Sequence, residues 1–243
     1  MSDKNFIIEI ATTDFITTQA AVAGGADRIE LCAGLSEGGI TPSPGHIRNC
    51  RESFNTSIYT IIRPRGGDFL YSGEEFDIML QDVIFCKQVG CDGIVTGLLH
   101  KDGSIDVSRT AALVDAAYPL GVTFHRAFDR CADPFRAMEE LIDIGCERIL
   151  TSGLQTVAME GAALIAKLND SAANRIIIMP GSGVRKENIG ELAALTGCVE
   201  FHSSLRRSAA SEMNFIQPPF AGADYLNPSI DPEEVRKLRS ALS

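Results

Sequence analysis

Four segments of this chain repeat one short pattern: a glycine, a small residue, usually an acid, and then a strand-like apolar run. They are Gly25-Ala26-Asp27-Arg28-Ile29-Glu30, Gly90-Cys91-Asp92-Gly93-Ile94-Val95, Gly145-Cys146-Glu147-Arg148-Ile149-Leu150 and Gly197-Cys198-Val199-Glu200-Phe201-His202. The glycines stand 65, 55 and 52 residues apart, near the length of two strand–helix units each. β-rich runs fall at about 6–10, 27–31, 58–62, 92–96, 121–125, 147–151, 175–179 and 199–202, with helical patterns between them. Asp14 and Asp133-Pro134 carry N-terminal helix signals, Gly73-Glu74-Glu75 opens another helix, and Gly24-Gly25 and Gly145 end helices. Eight strands separated by helices predict a parallel sheet with crossovers. A doubled two-unit repeat at this length points to an α/β fold, a (β/α)8 TIM barrel filling residues 1–243 as a single domain. An open doubly wound sheet is the alternative. Residues 203–225, with Pro218-Pro219, read as irregular, and Asp231-Pro232-Glu233-Glu234 caps a last helix running to Leu242.

Charge narrows the function. The net charge is −10. That argues against nucleic acid, where affinity rests on Lys and Arg neutralising phosphates, and against an anionic membrane surface. No apolar stretch approaches the ~20 residues of a membrane helix, and the start of the chain does not read as a signal peptide. The seven cysteines are odd in number and include no C-x-x-C, so reduced thiols and a cytoplasmic location are expected. No motif indicates a nucleotide cofactor.

Charged residues stand where the apolar runs end. Alternation along a strand assigns faces. Val199 and Phe201 point toward helices, so Glu200 and His202 point into the barrel. Val122 and Phe124 go outward, so Thr123 and His125 go inward. By the same argument Glu9, Arg28 and Glu30 are interior, and Arg63 ends the third strand. Barrels of this type do their chemistry at the carboxyl ends of the strands. The expected catalytic set is therefore Glu9, Glu30, Arg63, His125, Glu200 and His202, with a histidine as general acid or base and a carboxylate as its counterpart. The competing reading makes some of these interior ion pairs, as Arg28 and Arg148 are expected to be. His46 and His100 are expected at the surface.

The loops add anion-binding chemistry. Gly181-Ser182-Gly183 follows the seventh strand, where glycines let backbone N–H groups crowd around an anion. Arg63-Pro64-Arg65-Gly66-Gly67 places two guanidinium forks on the loop after the third strand, Arg126 follows His125, and Arg206 and Arg207 follow the eighth strand. We expect Arg65, Arg126, Gly181, Ser182 and Gly183 to bind anion. The glycine-rich segment from Cys32 to Pro44 is a candidate lid. No paired Cys or His spacing suggests structural zinc. Cys32 and Cys131 could reach the mouth, where Cu(I) would favour a thiolate, although a buried cysteine more often packs as a small apolar residue.

Longer motifs carry a family resemblance. Gly24 to Cys32, Leu35-Ser36-Glu37-Gly38-Gly39 with Thr41-Pro42-Ser43, Ile62 to Phe69, Val122 to Asp129, Leu150-Thr151-Ser152-Gly153 and Glu200-Phe201-His202 resemble the CutC copper homeostasis family over about residues 6–215, leaving a C-terminal extension at 216–243. The resemblance implies a TIM barrel, a cytoplasmic protein, and a homodimer or higher homo-oligomer. It also implies copper, Cu(I), held through cysteine, with Cys32 as the candidate metal ligand. The motifs themselves are rich in Arg, His, Glu and Gly, a set suited to a small anionic metabolite. Two readings follow: a copper-binding homeostasis protein, and a lyase, isomerase or hydrolase acting on a small phosphate- or carboxylate-bearing metabolite at the barrel mouth.

Overall fold

The computed structural model describes residues 6–220, 222 and 225–242. Eight parallel strands run β1 (Ile7–Thr12), β2 (Arg28–Leu31), β3 (Ser57–Ile61), β4 (Gly93–Thr96), β5 (Gly121–Phe124), β6 (Arg148–Thr151), β7 (Ile177–Pro180) and β8 (Glu200–Ser203). Helices α1 (Phe15–Ala23), α2 (Pro44–Ser53), α3 (Gly73–Val89), α4 (Val107–Ala117), α5 (Pro134–Asp143), α6 (Ala162–Ala172) and α7 (Ile189–Thr196) connect them. The ladder runs β7-β6-β5-β4-β3-β2-β1-β8, and β7 packs beside β8, so the sheet rounds into a (β/α)8 TIM barrel. A final helix, α8 (Pro232–Ser240), takes the eighth position beside α1, where Val235 packs against Gly24.

Local sequence explains these elements. Asp14, Ser72, Asp133 and Asp231 accept hydrogen bonds from first-turn N–H groups of their helices, and proline follows two of them. In the repeat, Gly25, Gly90, Gly145 and Gly197 have φ of +89°, +85°, +85° and +69°. A side chain is disfavoured in that left-handed region, which is why glycine recurs where each helix turns into a strand. The repeated acid has a second task. Asp27 and Asp92 each accept a hydrogen bond from the first residues of the preceding strand, at Ile8 N and Ile58 N. The small residue that follows each glycine is buried.

The repeat also layers the barrel interior. Its fourth position supplies Arg28, Gly93, Arg148 and Glu200, one from each even-numbered strand. Its sixth supplies Glu30, Val95, Leu150 and His202, nearer the carboxyl ends. Alternate strands feeding a common layer is the packing rule of this fold. In the lower layer Glu200 bridges Arg28 and Arg148, with both N–O distances 2.6 Å, and both guanidiniums lie over the Tyr59 ring. Gly93 and Gly121 make room for that ring; a Cβ at either would collide with it.

The C-terminal segment differs from expectation. It is not wholly irregular: β9 (Arg207–Ala210) pairs antiparallel with β10 (Leu226–Ser229) in a two-stranded ribbon. Neither strand alternates cleanly, and β10 contains Pro228, which a two-stranded ribbon tolerates because each strand keeps a free edge.

Candidate functional site

A cavity of about 580 Å³ opens at the carboxyl ends of the strands. Glu30 from β2, Arg63 after β3, His125 after β5 and His202 from β8 all line it. Arg126, Arg130, Arg185 and Arg206 stand around them, and Ser182 and Gly183, in the loop after β7, close one side. Leu35 to Gly38 form part of the wall. A protein with net charge −10 thus gathers five arginines at one opening.

His202 is the hub. Its Nδ1 lies 2.7 Å from Glu9 Oε1, and its Nε2 lies 3.8 Å from Glu30 Oε2. Glu9 has no solvent exposure and also accepts from Arg28 Nε at 2.5 Å. Burial alone would raise the pKa of Glu9, but Arg28 and His202 hold it well below the ordinary carboxylate value. Glu30 lacks such a partner at contact distance. Burial, with the charge of Glu9, outweighs the pull of His202 and Arg28 and lifts it to about 7. Burial works against a charged His202, yet Glu30 and Glu9 overcome it, so its pKa lies above the ordinary value. The cavity thus sets a carboxyl poised near neutral pH beside an imidazole that favours its charged form.

His125 is different. Its Nδ1 accepts a hydrogen bond from Ala127 N at 3.1 Å, which places the ring proton on Nε2. Burial and the charge of Arg63 push its pKa down to about 3, so the ring is neutral at physiological pH. Gly97 seats it: a Cβ there would stand 2.5 Å from Nδ1 and 2.6 Å from Cε1. Nothing in the sequence around Gly97 marked it as functional, because its task is steric and toward a residue 28 positions away.

Arg63 departs from the expected role of a free fork. Nη1 donates to the carbonyls of Glu37 and Gly39 at 2.7 and 2.9 Å, and Nη2 donates to Gly67 at 2.8 Å. It staples the Cys32–Pro44 segment over the barrel, with help from an Ala33–Ile40 bridge and from Arg206 Nη1 on Leu35 O. That candidate lid is held in place by these bonds. Arg126 lies at the rim, bonded to Asp129 at 2.7 Å and Ser152 Oγ at 2.8 Å. Asp129 in turn receives Thr151 and Ser152, a buried network the sequence did not reveal.

The six expected catalytic residues occupy two depths. Glu30, Arg63, His125 and His202 face the cavity. Glu9 and Glu200 lie below it, fully engaged with Arg28, Arg148 and His202. Arg65 is not among the lining residues; its guanidinium bonds Glu75 at 2.6 Å and stands over the Tyr71 ring. Gly181 is packed beneath, where a Cβ would strike Leu150 and approach His202. His46, expected at the surface, is half-buried, whereas His100 is exposed.

The sequence matches the CutC family over residues 6–207. The chain belongs to the CutC family. A CutC family protein of Chromobacterium violaceum is 48% identical over 241 residues, covering 97% of this chain and 98% of that protein. One from Parabacteroides distasonis is 52% identical over 210 residues, 86% of each chain. The solved structure of CutC from Streptococcus agalactiae, named for copper homeostasis, superposes with a TM-score of 0.78 at 31% identity, covering 81% of this chain and 97% of that one.

For this CutC family member, the cysteine in the family-like motif is placed unambiguously. Cys32 continues the inward face of β2 above Glu30, but it is wholly buried and does not line the cavity. Its thiol donates to Thr12 O at 3.2 Å. Burial, with the charge of Glu30 behind it, pushes the thiol well above the ordinary cysteine value. Cys131 is buried too and is not a lining residue.

Proposed function

We propose that this chain is an enzyme of the lyase, isomerase or hydrolase class that acts on a small phosphate- or carboxylate-bearing metabolite. One observation carries the reading: Glu30, His125, His202 and Arg63 stand on or just beyond the ends of four different strands and meet in one cavity ringed by arginines. Interior ion pairing would account for Glu9 and Glu200, whose oxygens are committed to cations, but not for a carboxyl group near neutral pKa facing an open cavity. In this reading Glu30 and His202 move protons. Arg126 and Arg206, with the turn at Ser182-Gly183, receive the anion. The test is thermal stability in a panel of small phosphates and carboxylates. At least one should raise the melting temperature, and Arg126→Ala with Arg206→Ala should remove most of that rise. A panel that stabilises nothing ends the reading.

Copper handling, the role in the family's name, fits these residues less well. Cu(I) favours paired thiolate or thioether ligands. The Cys32 thiol is sealed, held protonated and hydrogen-bonded, and its packed neighbours Ala11, Tyr59, Ile61 and Val95 offer no second soft donor. Glu9, Glu30 and His202 can place one ligand atom each within 4.8 Å of the others, but these are oxygen and nitrogen donors, and Glu9 is already bound by Arg28. Reduced protein titrated with Cu(I) against a competing chelator decides the matter. Stoichiometric uptake abolished by Cys32→Ser would restore the copper reading. A cytoplasmic setting and self-association as a homodimer or larger homo-oligomer belong to the same proposal. Buried thiols support the former, and light scattering of the purified protein tests the latter.

A further inference from the structure

Two donors at the base of the cavity have no partner. Among the described residues, His125 Nε2 and Arg63 Nε are buried side-chain nitrogens without a hydrogen bond. Both residues are at least nine-tenths buried, at 5% and 4% exposure, and both line the cavity. A buried donor left without a partner forfeits its hydration and gets nothing back, so two in one place call for an explanation. They share a wall. The Phe69 ring lies 5.0 Å from the imidazole centroid and 5.0 Å from the Arg63 guanidinium carbon. Since His125 Nδ1 is occupied as an acceptor, Nε2 can only donate in the neutral ring, and every other contact of Arg63 is also a donation. Tyr71 Oη, a third buried atom without a partner, stands beside the Arg63 guanidinium and can accept from it. The donor left without an acceptor is therefore His125 Nε2, and the missing group is an oxygen.

We propose that His125 Nε2–H, with the Arg63 guanidinium on the same Phe69 wall, donates to a carbonyl oxygen of the substrate, which makes the substrate a carbonyl-bearing anion. The inference rests on the enzyme reading above and names its substrate class. A neutral imidazole donor facing a carbonyl, with the Arg63 charge close by, stabilises the charge that develops on its oxygen when a neighbouring C–H proton is removed. Glu30, across the cavity on β2, takes that proton. The C–H bond breaks, its electron pair becomes a C=C bond, and the carbonyl π pair moves onto the cradled oxygen. Where the deprotonated carbon also carries a hydroxyl, that hydroxyl's proton passes to the cradled oxygen and Glu30 returns its proton to the former carbonyl carbon. The first carbon becomes the new carbonyl, an isomerisation that needs no further reactant. His202 keeps Glu30 within reach of its ionised form.

Two measurements test the proposal. Oxalate, a planar mimic of an enolate, and inorganic phosphate are titrated separately into the protein. His125 is followed by NMR through its ring nitrogens and Nε2 proton. Oxalate should shift the His125 signals, and phosphate should not. His125→Phe keeps a ring and removes the donor, so oxalate affinity should fall about tenfold while phosphate affinity holds. If phosphate binds and oxalate leaves His125 unmoved, the cradle is wrong and the anion pocket stands. If neither binds, the enzyme reading fails with it. In D2O, dihydroxyacetone phosphate should exchange its carbon-bound protons with wild type and not with Glu30→Gln. Oxalate binding without such exchange would remove Glu30 from the role of base.

Discussion

The Nδ1 of His202 lies 2.7 Å from Oε1 of Glu9, a carboxylate with no exposure to solvent. That contact joins the cavity to the ionic layer beneath it. Glu9 anchors one side of the ring, and the other nitrogen is left for Glu30 and whatever enters the cavity. The layer below is a support built of charges, and it has consequences for stability that differ from those of the cavity above.

Removing a single charge from that support should be costly. Glu9→Gln leaves Arg28 and His202 facing a neutral amide, and Glu200→Gln leaves Arg28 and Arg148 together over Tyr59. Breaking a buried pair typically costs about 3–5 kcal/mol, or roughly 10 °C in melting temperature at this chain length. Chemical denaturation should show a lower midpoint for each variant. A shift smaller than that of an exposed control such as Glu139→Gln would mean the ions contribute little.

Acid should act through Glu9. Its folded pKa lies below the ordinary 4.5, so the stability it contributes is full above that value and is lost as pH falls through the folded pKa. Glu9→Gln should therefore flatten the acid limb of a stability-against-pH curve. An unchanged limb would contradict the pairing with Arg28 and His202.

Glu30 should behave in the opposite sense. With a folded pKa near 7, its protonated form is favoured by folding; the resulting stability is present below about 4.5 and declines as pH rises through 7. Infrared spectra should show a protonated carboxyl band that fades around pH 7 and is missing in Glu30→Gln. A band already gone by pH 5 would show that the carboxyl is solvated or paired.

The two mouth histidines should titrate apart. His202 should show a midpoint above the ordinary 6.5, because Glu30 and then Glu9 outweigh the cost of its burial. His125 should not move between pH 5 and 9, because its folded pKa lies near 3. Its neutral burial removes stability as pH falls from 6.5 toward 3, since the unfolded chain binds the proton first. Histidine NMR resolves both; a His125 midpoint above pH 5 would place charge where the structure holds a neutral ring.

Gly97→Ala should unseat His125 without touching any charge. The added methyl meets the imidazole at 2.5 Å and Ala127 Cβ at 2.9 Å, so something must shift. Overpacking of this kind costs about 1–3 kcal/mol. A modest loss of melting temperature, with displaced His125 resonances, is the expected result. Unchanged resonances would show that the loop yields instead of the ring.

Much of this was legible along the chain. The repeated glycines announced helix-to-strand turns because the left-handed backbone they adopt excludes most other residues. Alternation placed Glu9, Glu30, His125, Glu200 and His202 inside, since the strand period of two is a local property. Depth was not legible. Period two assigns a face but says nothing of which neighbour lies across the barrel. The stagger of the strands, with Glu9 level with both Arg28 and His202, sends Glu9 and Glu200 to the support and Glu30 to the cavity. Arg63 and Arg65 looked alike at two residues' separation, yet one staples a loop from inside and the other pairs with Glu75 outside. The β9–β10 ribbon escaped notice because its strands carry no alternating pattern.

By itself, then, the sequence determined the barrel, its strand count and the polar character of its mouth, because turn geometry and side-chain alternation are short-range and repeat around the ring. Only the tertiary structure decided which of those charges neutralise one another and which face a cavity. Coulomb attraction and desolvation depend on distances across the barrel, between residues such as Glu9 and His202 that lie 193 positions apart in the chain.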